Sequence, residues 1–327
     1  MKILRIILSV LLIACISFTF VFPAYSTNKI LDKKEDFKEI ITIWHIDTFE
    51  GGKWSRREFL NYVSKKFERK NVGVLIMVKS ATKTGIEEAL KKGELPDAIS
   101  YGAGLDLINL VEINSSYNFN PGKVEKKQYA LPWCKGGYVL LYQEQKNIEK
   151  GIEKLVVSQM EYTQPLLAFL SEQLSSKEIM ALPPLEAYIQ FVTGKVDCLL
   201  GTQRDVERLQ AKGYGYKAKP LEEFNDLYQY ISITEKGASK KFLQNFLDYL
   251  FSEEIQKELN KISMFSEFYD VSYENSTLSE MSKIRQANGL NVFVNGETLT
   301  ELQQLSNRGI KGDNDSIIKI KNLVVKS

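Results

Sequence analysis

Hydrophobic and polar positions switch between two periods along this chain. Ile40-Ile41-Thr42-Ile43-Trp44 is a β-branched run that stops at a stretch rich in Asp and Gly, which predicts a strand. Behind it Ser55 and Glu58 form a capping box, Trp54 and Phe59 occupy the hydrophobic-staple positions, and Phe59, Val63 and Phe67 recur at four-residue spacing, so a helix starts at Ser55. A second strand is expected over 72–78. A second helix is expected from a capping box of Thr84 with Glu87, stopping near Gly93, and a third strand over 96–101 ends in Gly102-Ala103-Gly104. Strands alternating with helices predict a mostly parallel sheet covered by helices. In such sheets ligands sit beyond the carboxyl ends of the strands, here the loops at 45–52, 80–84 and 101–104.

A second lobe follows the same grammar. Tyr138–Tyr142 reads as a strand, reached from Trp133-Cys134 through Lys135-Gly136-Gly137, and the pattern turns helical around 166–174. Pro183-Pro184 opens a helix closed by Gly194, the strand 196–200 runs into Gly201, and Thr202 with Asp205 makes one more capping box. A strand is expected at Tyr228–Thr234, then helices carrying Phe242, Phe246 and Leu250, and one over 252–259. Helices near 278–287 and 298–308 follow, and 317–325 is open between helix and strand. The fold class is therefore α/β in two lobes, each a mostly parallel sheet flanked by helices, with a ligand cleft between them. The first lobe is expected to comprise 27–139 plus 233–327, part of 267–327 being able to pack on the second, and the second lobe 140–232.

The first 26 residues read as an export leader: Lys2 and Arg5, an apolar run from Ile6 to Phe22, then small residues at Ala24 and Ser26. Leu12-Ile13-Ala14-Cys15 also fits a lipobox, which makes Cys15 the alternative, lipid-anchored N-terminus. Either reading places the functional part outside the cytoplasm. The whole chain has 43 Lys+Arg against 41 Asp+Glu, and removing the leader takes away two of the former and none of the latter. Such a balanced body lacks the basic excess of a nucleic-acid binder. Cys134 and Cys198 remain in the body, too few for a disulfide framework and read as free thiols.

The loop after the first strand gathers the candidate chemistry. His45 is the chain's one histidine, so neither a catalytic triad with a second histidine nor a multi-histidine metal site is expected, and neither metal nor cofactor is predicted. Asp47 and Glu50 lie three apart in a loop that fixes no separation. They read as acceptors for sugar hydroxyls beside the indole of Trp44, as negative charge at the start of the next helix, or as the acid and base of a secreted glycoside hydrolase. Tyr101 sits at the third strand end, and Trp133 and Tyr138 at the crossover are candidates for stacking or for packing. Gln203 and Arg204 open a helix of the second lobe, where Arg204 clamps a ligand or a bridging carboxylate such as Glu50, or ends a solvated helix.

Several stretches, taken in order, resemble the solute-binding proteins of bacterial ABC importers, the broad group that includes the maltose-binding protein. They are "ITIWHIDTFEGG" (41–52), "LPDAISYGAG" (95–104), "ALPWCKGGYVLLY" (130–142), "VTGKVDCLLGTQRDVERL" (192–209) and "YISITEKGASKKFLQNFLDYLFSEEIQKELNKISMFS" (230–266). After Tyr142 the family's usual Pro-Thr-Trp helix opening is missing. The resemblance implies a monomeric two-lobed clamp without enzymatic activity that grips a small solute, a sugar above all, at Trp44, His45, Asp47, Glu50, Tyr101, Trp133, Gln203 and Arg204. It implies ABC permease subunits as membrane partners, hinges near 138–142 and 230–234, and, as a variant, closure read by an envelope receptor.

Overall fold

The first sheet is organised by β1 (Glu39–His45), which buries Ile41, Ile43 and His45 on one face and leaves Thr42 and Trp44 half-buried on the other. α1 (Arg56–Lys70) follows and buries Phe59, Leu60, Val63 and Phe67, each contributing about 1.5–3 kcal/mol before entropy is counted. β2 (Val74–Ser80), α2 (Lys83–Lys91) and β3 (Ala98–Tyr101) complete a parallel trio with β1 at its centre. The register aligns the three strand ends, His45 standing opposite Ser80 on one side and Ser100 on the other. The cap of α2 is Thr82, two residues earlier than expected, and its hydroxyl accepts the Gly85 N–H at 3.1 Å.

The computed structural model describes residues 10–12 and 37–325, apart from 106, 108, 147, 149, 150, 286 and 287. Val10–Leu12 is helical, and the rest of the expected leader, Cys15 included, lies outside the described residues. Residues 1–38 and 39–327 form separate units, and both sheets belong to the second. No described helix is long and apolar enough to cross a membrane.

After β4 (Leu110–Val111), the hairpin of β5 (Lys123–Val124) and β6 (Lys127–Gln128), and β7 (Leu131–Lys135), the chain crosses to a second sheet at Gly136-Gly137. There β8 (Tyr138–Tyr142), β9 (Ile152–Ser158), α3 (Pro165–Ser171), β10 (Ser176–Leu182), α4 (Pro184–Val192), β11 (Cys198–Thr202), α5 (Gln203–Ala211) and β12 (Lys217–Pro220) follow. The strand order is β10-β9-β11-β8-β12, with β9 parallel to both neighbours and β8 antiparallel to both of its own. β9 and β10 have no counterpart in the sequence expectation, which placed only the helix α3 in this region. Residues 221–227 lead back to β13 (Tyr228–Thr234), which runs antiparallel to β3, β4 and β7. The result is a two-lobed α/β fold in which each sheet joins a parallel trio to antiparallel strands.

α6 (Lys241–Leu250) meets α1 on the first lobe, and α7 (Glu253–Lys257) follows it. α8 (Ser276–Lys283) then packs on α5 and β12 of the second lobe. β14 (Gly289–Leu290), α9 (Gly296–Ile310), α10 (Asn314–Leu323) and β15 (Val324–Val325) end the described chain, with α9 packed on both α3 and α10.

The lobes are joined where three segments run side by side. Lys135 and Phe265 exchange backbone hydrogen bonds at 2.8 Å, and the Gly136 N–H donates to the Leu227 carbonyl at 2.7 Å. The stretches 138–142 and 230–234, expected as hinges, are instead paired interior strands, so the turning points are Gly136-Gly137 and 221–227. Lys135 is fully buried, yet its Nζ meets Glu267 at 2.5 Å and donates to the Ile284 carbonyl at 2.9 Å. A buried ammonium is tolerated only with such partners. Cys134 and Cys198 are free and buried, on strands of different sheets.

At the second crossover the Asp226 carboxylate accepts from the Tyr138 hydroxyl at 2.7 Å and from the Gln164 N–H at 2.9 Å. Burial pushes its pKa up to about 7, outweighing these two bonds. A folded-state pKa above the unfolded value stabilises the fold at acid pH, and that contribution is lost as pH rises to about 7. Asp226→Asn, which cannot ionise, is therefore expected to gain on the wild type between pH 5 and pH 8. Melting curves at the two pH values check this, and a gap that does not change with pH contradicts it.

Candidate functional site

The ends of β1 and β2 face those of β9 and β11, and the start of β8, across the cleft. On the first-lobe side the floor is a hydrogen-bond network centred on Ser100. Its Oγ accepts from Trp133 Nε1 at 2.9 Å and from Gln229 Nε2 at 3.0 Å, and lies 3.0 Å from His45 Nδ1. With both lone pairs used, the hydroxyl proton must go to Nδ1, so the histidine carries its own proton on Nε2 and donates it to Asp47 at 3.1 Å. Burial lowers the His45 pKa despite that carboxylate, and the ring is neutral. Both ring nitrogens are occupied, which leaves none for a metal. Among the described residues no cluster of His, Cys, Asp and Glu could hold one.

Among the described residues Asp47 is anchored through one oxygen. Oδ1 receives His45 Nε2 and the Nε and Nη2 of Arg56, the latter two at 2.9 and 2.7 Å, while the side chain remains 55% exposed. Oδ2 keeps its acceptor capacity for a guest. Burial would raise this carboxyl's pKa, but the hydrogen bond from His45 and the charge of Arg56 hold it well below the usual range. The Arg56 guanidinium is itself buried, 3.9 Å above the Phe49 ring and bonded to the Phe49 carbonyl.

Three residues of α5 reach across to the same loop. Arg208 grips the Glu50 carboxylate at 2.6 and 3.2 Å, Arg204 donates to the Gly52 carbonyl at 2.7 Å, and Gln203 donates to the Glu50 carbonyl at 3.3 Å. Gln203 Oε1 also accepts the Gly137 N–H at 3.0 Å, tying the latch to the crossover. Gly52 is required here, since a Cβ would lie 2.1 Å from the Ile262 carbonyl oxygen. Asp205, which completes the capping box of α5, also holds Arg208 at 3.1 Å, and burial pushes its carboxyl up to about 6.

This latch closes the deep end of the cleft. Among Phe49, Glu50, Tyr138, Thr202 and their neighbours only about 10 Å³ remains, room for one water. Past Met160 the cleft opens into a chamber of about 350 Å³, lined by His45 to Thr48, Ser80 to Lys83, Leu105 and Met160 to Tyr162. Lys83 Nζ donates to the Tyr162 hydroxyl at 3.1 Å over the chamber's outer side. A larger trough of about 950 Å³ lies at the opposite edge of the second sheet, by Tyr142 and Lys217, away from these strand ends.

Of the residues singled out from sequence, His45 and Asp47 line the chamber and Glu50 lines the deep end. Gln203 and Arg204 bond the facing loop, and the bridge to Glu50 assigned to Arg204 belongs to Arg208, one turn further along the helix. Trp133 and Tyr101 are fully buried, Trp133 stacked on Phe59 with ring centroids 6.0 Å apart and Tyr101 bonded to Ser232 at 2.8 Å, so neither offers a face to a solute here. Trp44 packs half-buried on the sheet face opposite His45. Lys83 lies in the 80–84 loop expected at the cleft, whereas Glu161 and Tyr162 are chamber residues that sequence reasoning missed. The 159–163 turn follows the unread strand β9, and the run "VVSQMEYTQP" before α3 was its available signal.

No family model matches the sequence, and no curated protein matches it. Among solved structures, one titled "Two-component system protein mediate signal transduction" is similar with a TM-score of 0.54 at 13% identity, covering 81% of this chain and 100% of that one. The likeness is one of fold. A substrate-binding domain of a putative molybdenum ABC transporter from Clostridium difficile gives a TM-score of 0.45 at 12% identity, covering 69% of this chain and 97% of that one.

Two variants test this geometry. Ser100→Ala leaves the Trp133 N–H buried without an acceptor and strips one partner each from His45 and Gln229, and is expected to cost about 2–3 kcal/mol in urea unfolding. Glu50→Gln is expected to speed amide hydrogen exchange at 50–53 and 203–205 while the outer strands keep their protection. Uniform exchange in both proteins contradicts the latch.

Proposed function

We propose that this chain is the extracytoplasmic solute-binding component of an ABC importer, that its solute is a carbohydrate held in the chamber beside Asp47, and that it hands the solute to a membrane permease. Export rests on the leader pattern of residues 1–26. The observation that carries the solute class is the chamber's charge balance: Asp47 offsets Arg56, Glu161 stands beside Lys83, and His45 is neutral. With no excess of positive charge and one carboxylate oxygen free, the chamber suits a neutral guest rich in hydroxyl donors better than an oxyanion. The hydroxyls of Ser80, Thr82 and Tyr162 and the ammonium of Lys83 complement that guest.

The hydrolase alternative lacks an acid. Asp47 stays a carboxylate throughout the working pH range, and Glu50 is engaged by Arg208, whereas glycoside cleavage needs one carboxyl with a raised pKa. This geometry favours binding over cleavage by the Asp47 and Glu50 pair.

A thermal-shift panel of monosaccharides, oligosaccharides, amino acids and oxyanions tests the reading. A saccharide is expected to add about 2.7 kcal/mol at roughly a hundredfold excess over its Kd, raising Tm by several degrees. Asp47→Asn is expected to weaken that saccharide about 10–100-fold. A shift produced by an oxyanion and by no sugar contradicts the proposed solute.

A further inference from the structure

The end of the first lobe opposite the cleft is a surface of a different character. β1, β2 and β3 are parallel, so all three begin there, α1 and α2 finish there, and β13 arrives antiparallel and turns into α6. Contacts tie these segments together. The Glu39 N–H donates to the Gly73 carbonyl at 3.4 Å, and the Glu39 carboxylate accepts the Phe242 N–H at 3.1 Å. Lys236 donates to the Leu95 carbonyl at 2.8 Å and Lys240 to the Ile40 carbonyl. The three connections at this end, 69–73, 91–97 and 235–241, carry seven Lys and Arg against three Asp and Glu, in a body whose total is even. Of those acids, Asp97 is buried and engaged by Lys240 at 3.2 Å and by the Thr42 N–H at 2.7 Å, which leaves Glu94 and Glu235 exposed. Arg69, Lys91, Lys92, Lys236 and Lys241 are exposed and form no ion pair among the described residues. Two apolar side chains stand among them, Val72 at 63% and Ile40 at 42% exposure.

We propose that this end of the first lobe rests on a membrane surface of anionic lipid, so that the cleft opens away from the bilayer toward incoming solute. This rests on the export reading above and is independent of which solute is bound. An even total charge with a basic excess at one end makes the body electrically polarised, and a polarised body takes one orientation on a charged plane. A basic surface alone suits any polyanion. Exposed Val72 and Ile40 among the lysines favour lipid, since they suit the boundary between headgroups and acyl chains. The N-terminal sequence points to the same end. Sixteen residues, 23–38, separate the apolar run that stops at Phe22 from Glu39, and fully extended they reach at most about 55 Å. Glu39 lies at this end, so an anchor made by that run or by a lipid on Cys15 tethers this end of the body most shortly. A single acyl chain holds a protein to a bilayer only marginally, and a basic patch supplies the second signal that stable attachment needs. Docking on a permease then takes release from the lipid, and the tether permits it.

Co-sedimentation of the full chain with vesicles tests the inference, comparing phosphatidylglycerol mixed into phosphatidylcholine with phosphatidylcholine alone. The apolar leader enters both kinds, so the ratio of the two partition coefficients isolates the charged end. That ratio is expected to be about tenfold or more at low salt and to fall toward one at high salt, a result read on the wild type alone. Replacing three exposed residues together, Lys91→Glu, Lys92→Glu and Lys241→Glu, is expected to remove the advantage. The control triple Lys195→Glu, Lys212→Glu and Lys217→Glu makes the same change in net charge on the second lobe and is expected to keep the ratio within about twofold. No advantage for phosphatidylglycerol in the wild type, or an equal loss in both triples, overturns the lipid surface and leaves the solute-binding reading standing. Export is read separately, from the cell fraction that holds the chain, so its failure is distinguishable from failure of the vesicle assay.

Discussion

Glu50 and Arg208 hold the ends of two sheets against each other, and the shape of everything between them follows from that contact. The partners are 24% and 19% exposed, between the surface pairs worth less than about 1 kcal/mol and the buried pairs whose disruption costs about 3–5 kcal/mol. The ion pair does not act alone. Arg204 and Gln203 add hydrogen bonds to backbone carbonyls of the same loop, and Gln203 also holds the backbone at Gly137, where the chain changes lobes. Contact between the lobes is therefore made by the protein's own side chains and backbone. A solute that touches both lobes adds its own contacts to that closure, and shifts the balance only by its preference for the closed over the open form.

The two sides of the cleft do different work. The first-lobe floor is rigid and neutral, because Ser100 uses its whole hydrogen-bonding capacity on Trp133, Gln229 and His45. Polarity is confined to the rim, at Asp47 Oδ2, Lys83, Glu161 and Tyr162. The second lobe contributes one turn and the first residues of one helix, so small relative movement opens or closes the chamber with the sheets intact. Gly136-Gly137 and 221–227 are the segments able to absorb such a rotation.

Much of the first lobe was legible because its strands and helices are short, strongly patterned and well punctuated: β1 ends where the Asp/Gly stretch begins, and α1 starts at the predicted Ser55. The second lobe was harder. β9 interrupts its apolar run with Glu153 and Lys154, and β10, at the sheet edge, carries Lys177 and Glu178, so neither shows clean alternation. Losing β9 also lost the turn that carries Glu161 and Tyr162. Aromatic residues misled for a different reason. Tyr101 ends β3 and Trp133 lies just before the crossover, places where a solute-facing ring and a core-filling ring have the same sequence signature, and only packing on Phe59 and Ser232 distinguishes them. Arg208 was overshadowed by Arg204 because both are basic and four residues apart on one helix, and side-chain reach decides which meets Glu50.

The central claim is that direct contact across the cleft sets the spacing of the lobes. Double electron–electron resonance between spin labels at the exposed positions Arg69 and Lys195, one on each lobe, measures that spacing. The account predicts one narrow distance distribution for the otherwise unaltered protein, and a second, longer population when Glu50 and Arg208 are both replaced by Gln. Identical distributions in the two proteins would contradict it.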